Sequence, residues 1–143
     1  MDFVKKLFIL ALLGFSSIAL AASFPTGEYR GVGFTVEKGA MKMTDTDMSK
    51  FESNLKIIDK GNSRVAFDIS VKMQRSPGMQ VRTDRRFDVY QVSWTDENSG
   101  QLVNIDKKYS ADKSTFLISG NKLTIKSWIS RNQLHETHIY EKK

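Results

Sequence analysis

Apolar and polar side chains alternate along much of this chain, most clearly at 64–74. Val65, Phe67, Ile69, Val71 and Met73 take every second place there, with Ala66, Asp68, Ser70 and Lys72 between them. A period of two puts one set on each face of an extended chain, so the segment reads as a strand with one buried face. Shorter runs rich in β-branched and aromatic residues recur at 29–36, 53–58, 85–94, 101–105, 114–118, 122–130 and 134–141. Eight strands are expected.

The runs are separated by turn formers. Lys60-Gly61-Asn62, Glu97-Asn98-Ser99-Gly100 and Ser119-Gly120-Asn121 all carry residues that tolerate positive φ. Connections this short make neighbours antiparallel, because a parallel return needs a much longer crossover. Successive hairpins form a meander, and closing a meander into a barrel removes both exposed edges. The expected fold is all-β: an antiparallel up-and-down meander of about eight strands, closed as a small barrel. Residues 38–50 interrupt the pattern, being rich in methionine and poor in strand formers. Thr44 or Asp45 could cap a short helix there, set as a lid over the barrel mouth. An ordinary long surface loop accounts for the segment equally well.

The N-terminus follows a different rule. Leu7 to Phe15 is continuously apolar, Lys5 and Lys6 precede it, and Ala19-Leu20-Ala21-Ala22 follows. A positive start, an apolar middle and small residues at the end make a secretory signal, cut after Ala21 or Ala22. As a membrane anchor the stretch is broken by Gly14, Ser16 and Ser17, and it falls short of the roughly 20 residues that span a bilayer. Residues 1–22 are therefore expected to be a signal peptide and 23–143 a single β-barrel domain, periplasmic or secreted. No stable membrane span remains after cleavage. The chain has no cysteine, which excludes lipid attachment at the cleavage site and any disulfide, and suits a bacterial envelope protein. The 121 residues left when 22 of 143 are removed can bury close to two-thirds of their unfolded surface, enough for an unbridged core.

Charge narrows the field only a little. Losing Lys5, Lys6 and Asp2 with the leader lowers the net charge from +6 to +5. That suits an anionic partner, and equally a merely soluble protein. Export argues against nucleic acid.

At Gly27-Glu28-Tyr29-Arg30-Gly31-Val32-Gly33 the chain resembles the opening strand of calycin-like barrels. That grouping holds lipocalins, fatty-acid-binding proteins and nitrobindin-like haem barrels. Their first strand often reads Gly-x-Trp, extended in the nitrobindin-like group to Gly-x-Trp-x-Gly-x-Gly. Tyr29 stands at the tryptophan place, and Gly27, Gly31 and Gly33 match. Glycines would let the first strand bend as the barrel closes, while the aromatic plugs one end. The resemblance implies a fold; function has to be argued from a site.

Candidate chemistry is sparse. The two histidines, His135 and His138, lie three apart on one strand and point to opposite faces, so they cannot share a metal. By analogy with nitrobindin-like barrels, one could face the interior as a haem or metal ligand; the plainer reading is of two polar strand residues. Asp45 and Asp47 begin a calcium-loop-like string, but Lys50 and Lys56 occupy the positions that need Gly and Glu. Neither a Gly-x-Ser-x-Gly elbow nor a metal-ligand cluster is present, and no enzyme activity or cofactor is expected. Arg82, Arg85 and Arg86, with Lys72 and Arg75 on the preceding strand, could form a surface patch for carboxylate or phosphate, although Asp84 and Asp88 are interleaved. The strand at 85–94 carries large groups on both faces, with Phe87 and Val89 on one and Tyr90, Val92 and Trp94 on the other.

Two functions follow. In the first, the barrel carries or senses a small hydrophobic or amphipathic ligand, held by Phe67, Ile69, Val71, Phe87 and Ile125. In the second, a packed barrel binds an envelope or host protein through an outer patch of Arg82, Arg85, Arg86, Tyr90 and Trp94. Export should leave a chain beginning at Ala22 or Ser23. Intact-mass measurement of protein recovered from periplasm or medium checks this, and an uncut mass there would refute the cleavage.

Overall fold

In a computed structural model, described over residues 23–109 and 111–143, nine strands account for most of the chain, and the expected leader lies outside the described residues. The strands are β1 (Gly27–Lys38), β2 (Met41–Thr44), β3 (Lys50–Gly61), β4 (Arg64–Gln74), β5 (Arg82–Trp94), β6 (Ser99–Asn104), β7 (Lys113–Ser119), β8 (Lys122–Ile129) and β9 (Leu134–Lys142). No α-helix occurs among the described residues. β1 and β3 to β9 pair as antiparallel neighbours, and β9 returns to β1. The result is a closed eight-stranded antiparallel barrel with one extra strand, β2.

That extra strand occupies the segment expected to be a helix or loop. β1 pairs with β3 only through its first residues, from Gly27↔Ile57 to Arg30↔Asn54. Its last four residues, Thr35 to Lys38, pair with β2 instead. The turn at Gly39 folds the chain back, so Met41 and Met43 extend the sheet where β3 has diverged from β1. The only helical element in the segment is one 3-10 turn, Asp45–Asp47. Thr44 caps it, its backbone N–H donating to Asp47 Oδ2 at 2.8 Å. The β1 edge left free by β3 is open to hydrogen bonding, and pairing there outweighs weak strand propensity.

Closure depends on β1, which pairs with β9 from Tyr29↔Lys142 to Glu37↔His135. The register shifts between Gly31 and Gly33, a bulge at Val32. One extra residue moves the inward set from Tyr29 and Gly31 to Phe34 and Val36. Gly31 also meets β3 closely, since a Cβ there would lie 2.8 Å from the Ser53 Cβ. The glycine pattern of this strand thus has a packing cause.

The interior is divided along its length. At one end Tyr29, Leu55, Ile57, Val65, Val92, Leu102, Phe116 and Leu123 form a packed core. Phe24, just ahead of β1, enters this end and meets Phe67, Trp94 and Phe116 at ring-centroid distances of 5.9, 6.1 and 4.9 Å. Gly100 in β6 fits here only because it has no side chain. A Cβ would lie within 3 Å of the Trp94 Cα and closer still to the Ser93 carbonyl oxygen. Gly100→Ala should destabilise the barrel by about 2 kcal/mol, as overpacking against backbone does. Urea unfolding would show a lower midpoint with an unchanged m-value.

Candidate functional site

The other end of the barrel is hollow, with a cavity of about 410 Å³. Its lining has two unlike sides. Phe34 of β1, Phe51 of β3, and Phe67, Ile69, Val71 and Met73 of β4 make an apolar wall. Asp84, Arg86 and Asp88 of β5, Asn104 of β6, Ser114 of β7, Ser127 of β8, and Glu136 and His138 of β9 make a polar one, with Asp112 just ahead of β7. Tyr90, Leu102, Ile125 and Tyr140 form the floor, where the cavity meets the core. The mouth lies where Asp84 and Arg86 reach solvent.

Strand alternation builds both walls. On β4 the odd positions face in and are all apolar, which is the pattern read from the sequence. On β7, β8 and β9 the inward sets change character along the strand. Phe116 gives way to Ser114, Ile125 to Ser127, and Tyr140 to His138 and Glu136. Polar residues in phase with core positions were the available signal for this wall. The sequence reading missed it because those positions fell among short or irregular runs.

The polar groups are mostly held by one another. Ser114 and Ser127 share a hydrogen bond of 2.8 Å between their hydroxyls. Asp112 Oδ1 accepts from the Ser130 backbone N–H at 2.9 Å and from its hydroxyl at 3.0 Å. Arg86 Nε lies against Asp88 Oδ2, and its guanidinium sits over the Tyr109 ring at 5.5 Å. Burial acts to lower the Arg86 pKa, but Asp88 and the neighbouring tyrosines outweigh it and hold it above its ordinary value. His138 lies 4.8 Å from the Phe34 ring and stacks on Tyr140, with Nε2 3.2 Å from Glu136 Oε2. His135 is exposed on the outer face beside Trp128, so the two histidines do point apart.

Four of the five expected ligand-binding residues, Phe67, Ile69, Val71 and Ile125, line the cavity. Phe87 does not; it faces outward and is 57 % exposed. The expected surface patch is also divided. Tyr90 and Trp94 face inward, one on the cavity floor and the other against Phe116 at 5.0 Å. Arg85 borders the cavity but its guanidinium is on the outer face, paired with Asp68 at 2.9 Å, while Arg86 faces the cavity and Arg82 is exposed. Large groups on both faces of β5 gave the sequence no means to tell inside from outside. The register with β4, Ala66↔Val89 and Phe67↔Asp88, decides it.

The fold superposes on the siderocalin Ex-FABP with a TM-score of 0.57 at 10 % identity, over 82 % of this chain and 73 % of that one. This chain has the fold of a small calycin-like β-barrel. A fatty-acid-binding protein 1 from Echinococcus granulosus aligns over 82 % of this chain and 96 % of its own at 11 % identity, with a TM-score of 0.44. No protein-family model matches the sequence, and no curated protein matches it. Tyr29 of the first strand is buried in the packed end.

The floor tyrosines carry a pH signature. Burial pushes the Tyr140 phenol up to about 12 from its ordinary 10.0, with Ser53 lowering and Glu136 raising it by less. Burial also raises Tyr90, and the charge of Asp88 adds to it. A raised folded pKa means the folded state holds the proton more tightly. Their contribution to stability is whole below pH 10 and is lost as pH climbs towards 12. Spectrophotometric titration should show part of the phenolate signal arising only together with unfolding in that window. Independent ionisation of every tyrosine near pH 10, with circular dichroism intact, would contradict their burial.

Proposed function

We propose that the protein is an exported, non-catalytic carrier or sensor that holds a small amphipathic ligand in the open half of its barrel. The observation that carries this reading is the cavity itself. A site of about 410 Å³ with one apolar wall and one polar wall lies within the size range of small-molecule pockets. The apolar wall offers area to be removed from water, and the polar wall fixes orientation. The packed end makes the pocket blind, so ligand enters and leaves at the mouth beside Asp84 and Arg86. The siderocalin Ex-FABP, similar in fold, functions through dual ligand specificities. Periplasm or extracellular space is the proposed location, resting on the leader pattern at 1–22. Among the described residues no helix is long and apolar enough to cross a membrane.

An outer surface favours a second reading, in which the barrel also binds an envelope or host protein. Ile58 of β3 and Val89 of β5 flank the buried Ala66 of β4, set by Ile58↔Ala66 and Ala66↔Val89, and the row continues just past β6, where the Ile105 N–H donates to the Val89 carbonyl. Phe87 and Val103 stand exposed beside this row.

Filling the pocket separates the two readings. The neutral fluorophore N-phenylnaphthylamine should brighten on binding the protein, and Val71→Trp should abolish this while keeping the thermal midpoint. Native mass spectrometry of protein from its source should show an added mass that denaturation removes. Dye binding unchanged in the filled variant would place the apolar site on the outer face instead.

A further inference from the structure

The charge inside the cavity opposes the charge of the chain. Four carboxylates line it: Asp84, Asp88, Asp112 and Glu136. Two arginines border it with them: Arg86, and Arg85, whose guanidinium is drawn outward to Asp68. Counted formally without histidine, four negative and two positive groups leave the lining at −2, within a protein of net +6. One of the four carboxylates is deeply buried. Asp88 is 8 % exposed; its Oδ1 accepts from Asn104 Nδ2 at 3.4 Å, while its Oδ2 receives no aligned hydrogen bond and meets Arg86 Nε as an ion contact. Low-dielectric walls on one side strengthen the field that these groups project into the space.

The form of the cavity limits what can answer this field. Among the described residues no three acidic or histidine side chains converge to hold a metal ion. The carboxylates are spread from β5 round to β9, and an apolar wall faces them. We propose that the barrel binds a cationic amphiphile, an aliphatic or aromatic group ending in an ammonium. This rests on the reading of the cavity as a binding site and specifies its ligand. The apolar part lies on Phe51, Ile69 and Val71. The ammonium approaches Asp88 and Glu136, with the rings of Tyr90 and Tyr140 supplying aromatic faces. An anionic head group would instead add a fifth negative charge to a partly desolvated wall. The raised Tyr90 phenol reports the same field, since burial and then the Asp88 charge both disfavour an anion on the floor.

Three probes with one tail test this: decylamine, decanol and decanoate, titrated calorimetrically into the purified protein at pH 7 and low salt. The amine is protonated there and the acid ionised. Decylamine should bind about tenfold or more tighter than decanol, decanoate should be weakest, and added salt should narrow the gap. Asp88→Asn is the direct variant but disturbs a buried ion pair. Asp84→Asn with Glu136→Gln changes accessible lining groups and should cut the ratio of amine to decanol affinity several-fold, whatever it does to decanol binding itself. Equal binding of all three, or preference for decanoate, would overturn the cationic assignment and leave the carrier reading standing. Binding of none would overturn both.

Discussion

Closure of the sheet between β1 and β9 is the constraint on which the rest depends. Without that pairing two long strand edges would be exposed, and the inward faces of eight strands would have no common interior. β1 meets it by serving three neighbours, with β9 along one edge and β3 then β2 along the other. The bulge at Val32 lets a single strand do this. It keeps Tyr29 inside the packed end and still turns Phe34 into the cavity, where Phe34 stacks on Phe51 at 4.9 Å. A regular strand would put one of these two rings in solvent.

Where β1 leaves β3, the barrel changes from solid to hollow. Below that point aromatic and branched side chains from every strand interlock, and Phe24 fills the last of the space. Above it the inward positions on β7, β8 and β9 carry serine, glutamate and histidine, too small or too polar to fill a core. The same alternation therefore yields stability at one end and a pocket at the other. Size and polarity of the inward side chains make the difference; backbone geometry does not.

The polar wall has a cost that the structure meets unevenly. Ser114, Ser127 and Asp112 are satisfied by near neighbours, so their orientation is fixed in advance. Asp88 is met by Arg86 and by Asn104 at 3.4 Å, Glu136 by His138 alone, and both line the open space. Groups held in place but incompletely neutralised are what a pocket uses to choose among ligands of similar apolar size.

Much of the fold was legible from residues alone. Period-two alternation located the strand at 64–74, runs of β-branched and aromatic residues located the other barrel strands, and the turn formers made neighbours antiparallel, because these signals are local. Phe67, Ile69 and Val71 could be assigned to one face because their strand is apolar on that face only. β5 could not be assigned, as Phe87 and Tyr90 are equally plausible core residues until the register with β4 orients them. β2 was invisible because its strand form comes from an edge that β1 provides, not from its own sequence. The amino-acid sequence by itself determined that this chain would be an antiparallel meander suited to closure. Only the tertiary structure decided that half the barrel is hollow and that its carboxylates share one space. Those properties belong to side chains distant in sequence, and closing the sheet is what brings them together.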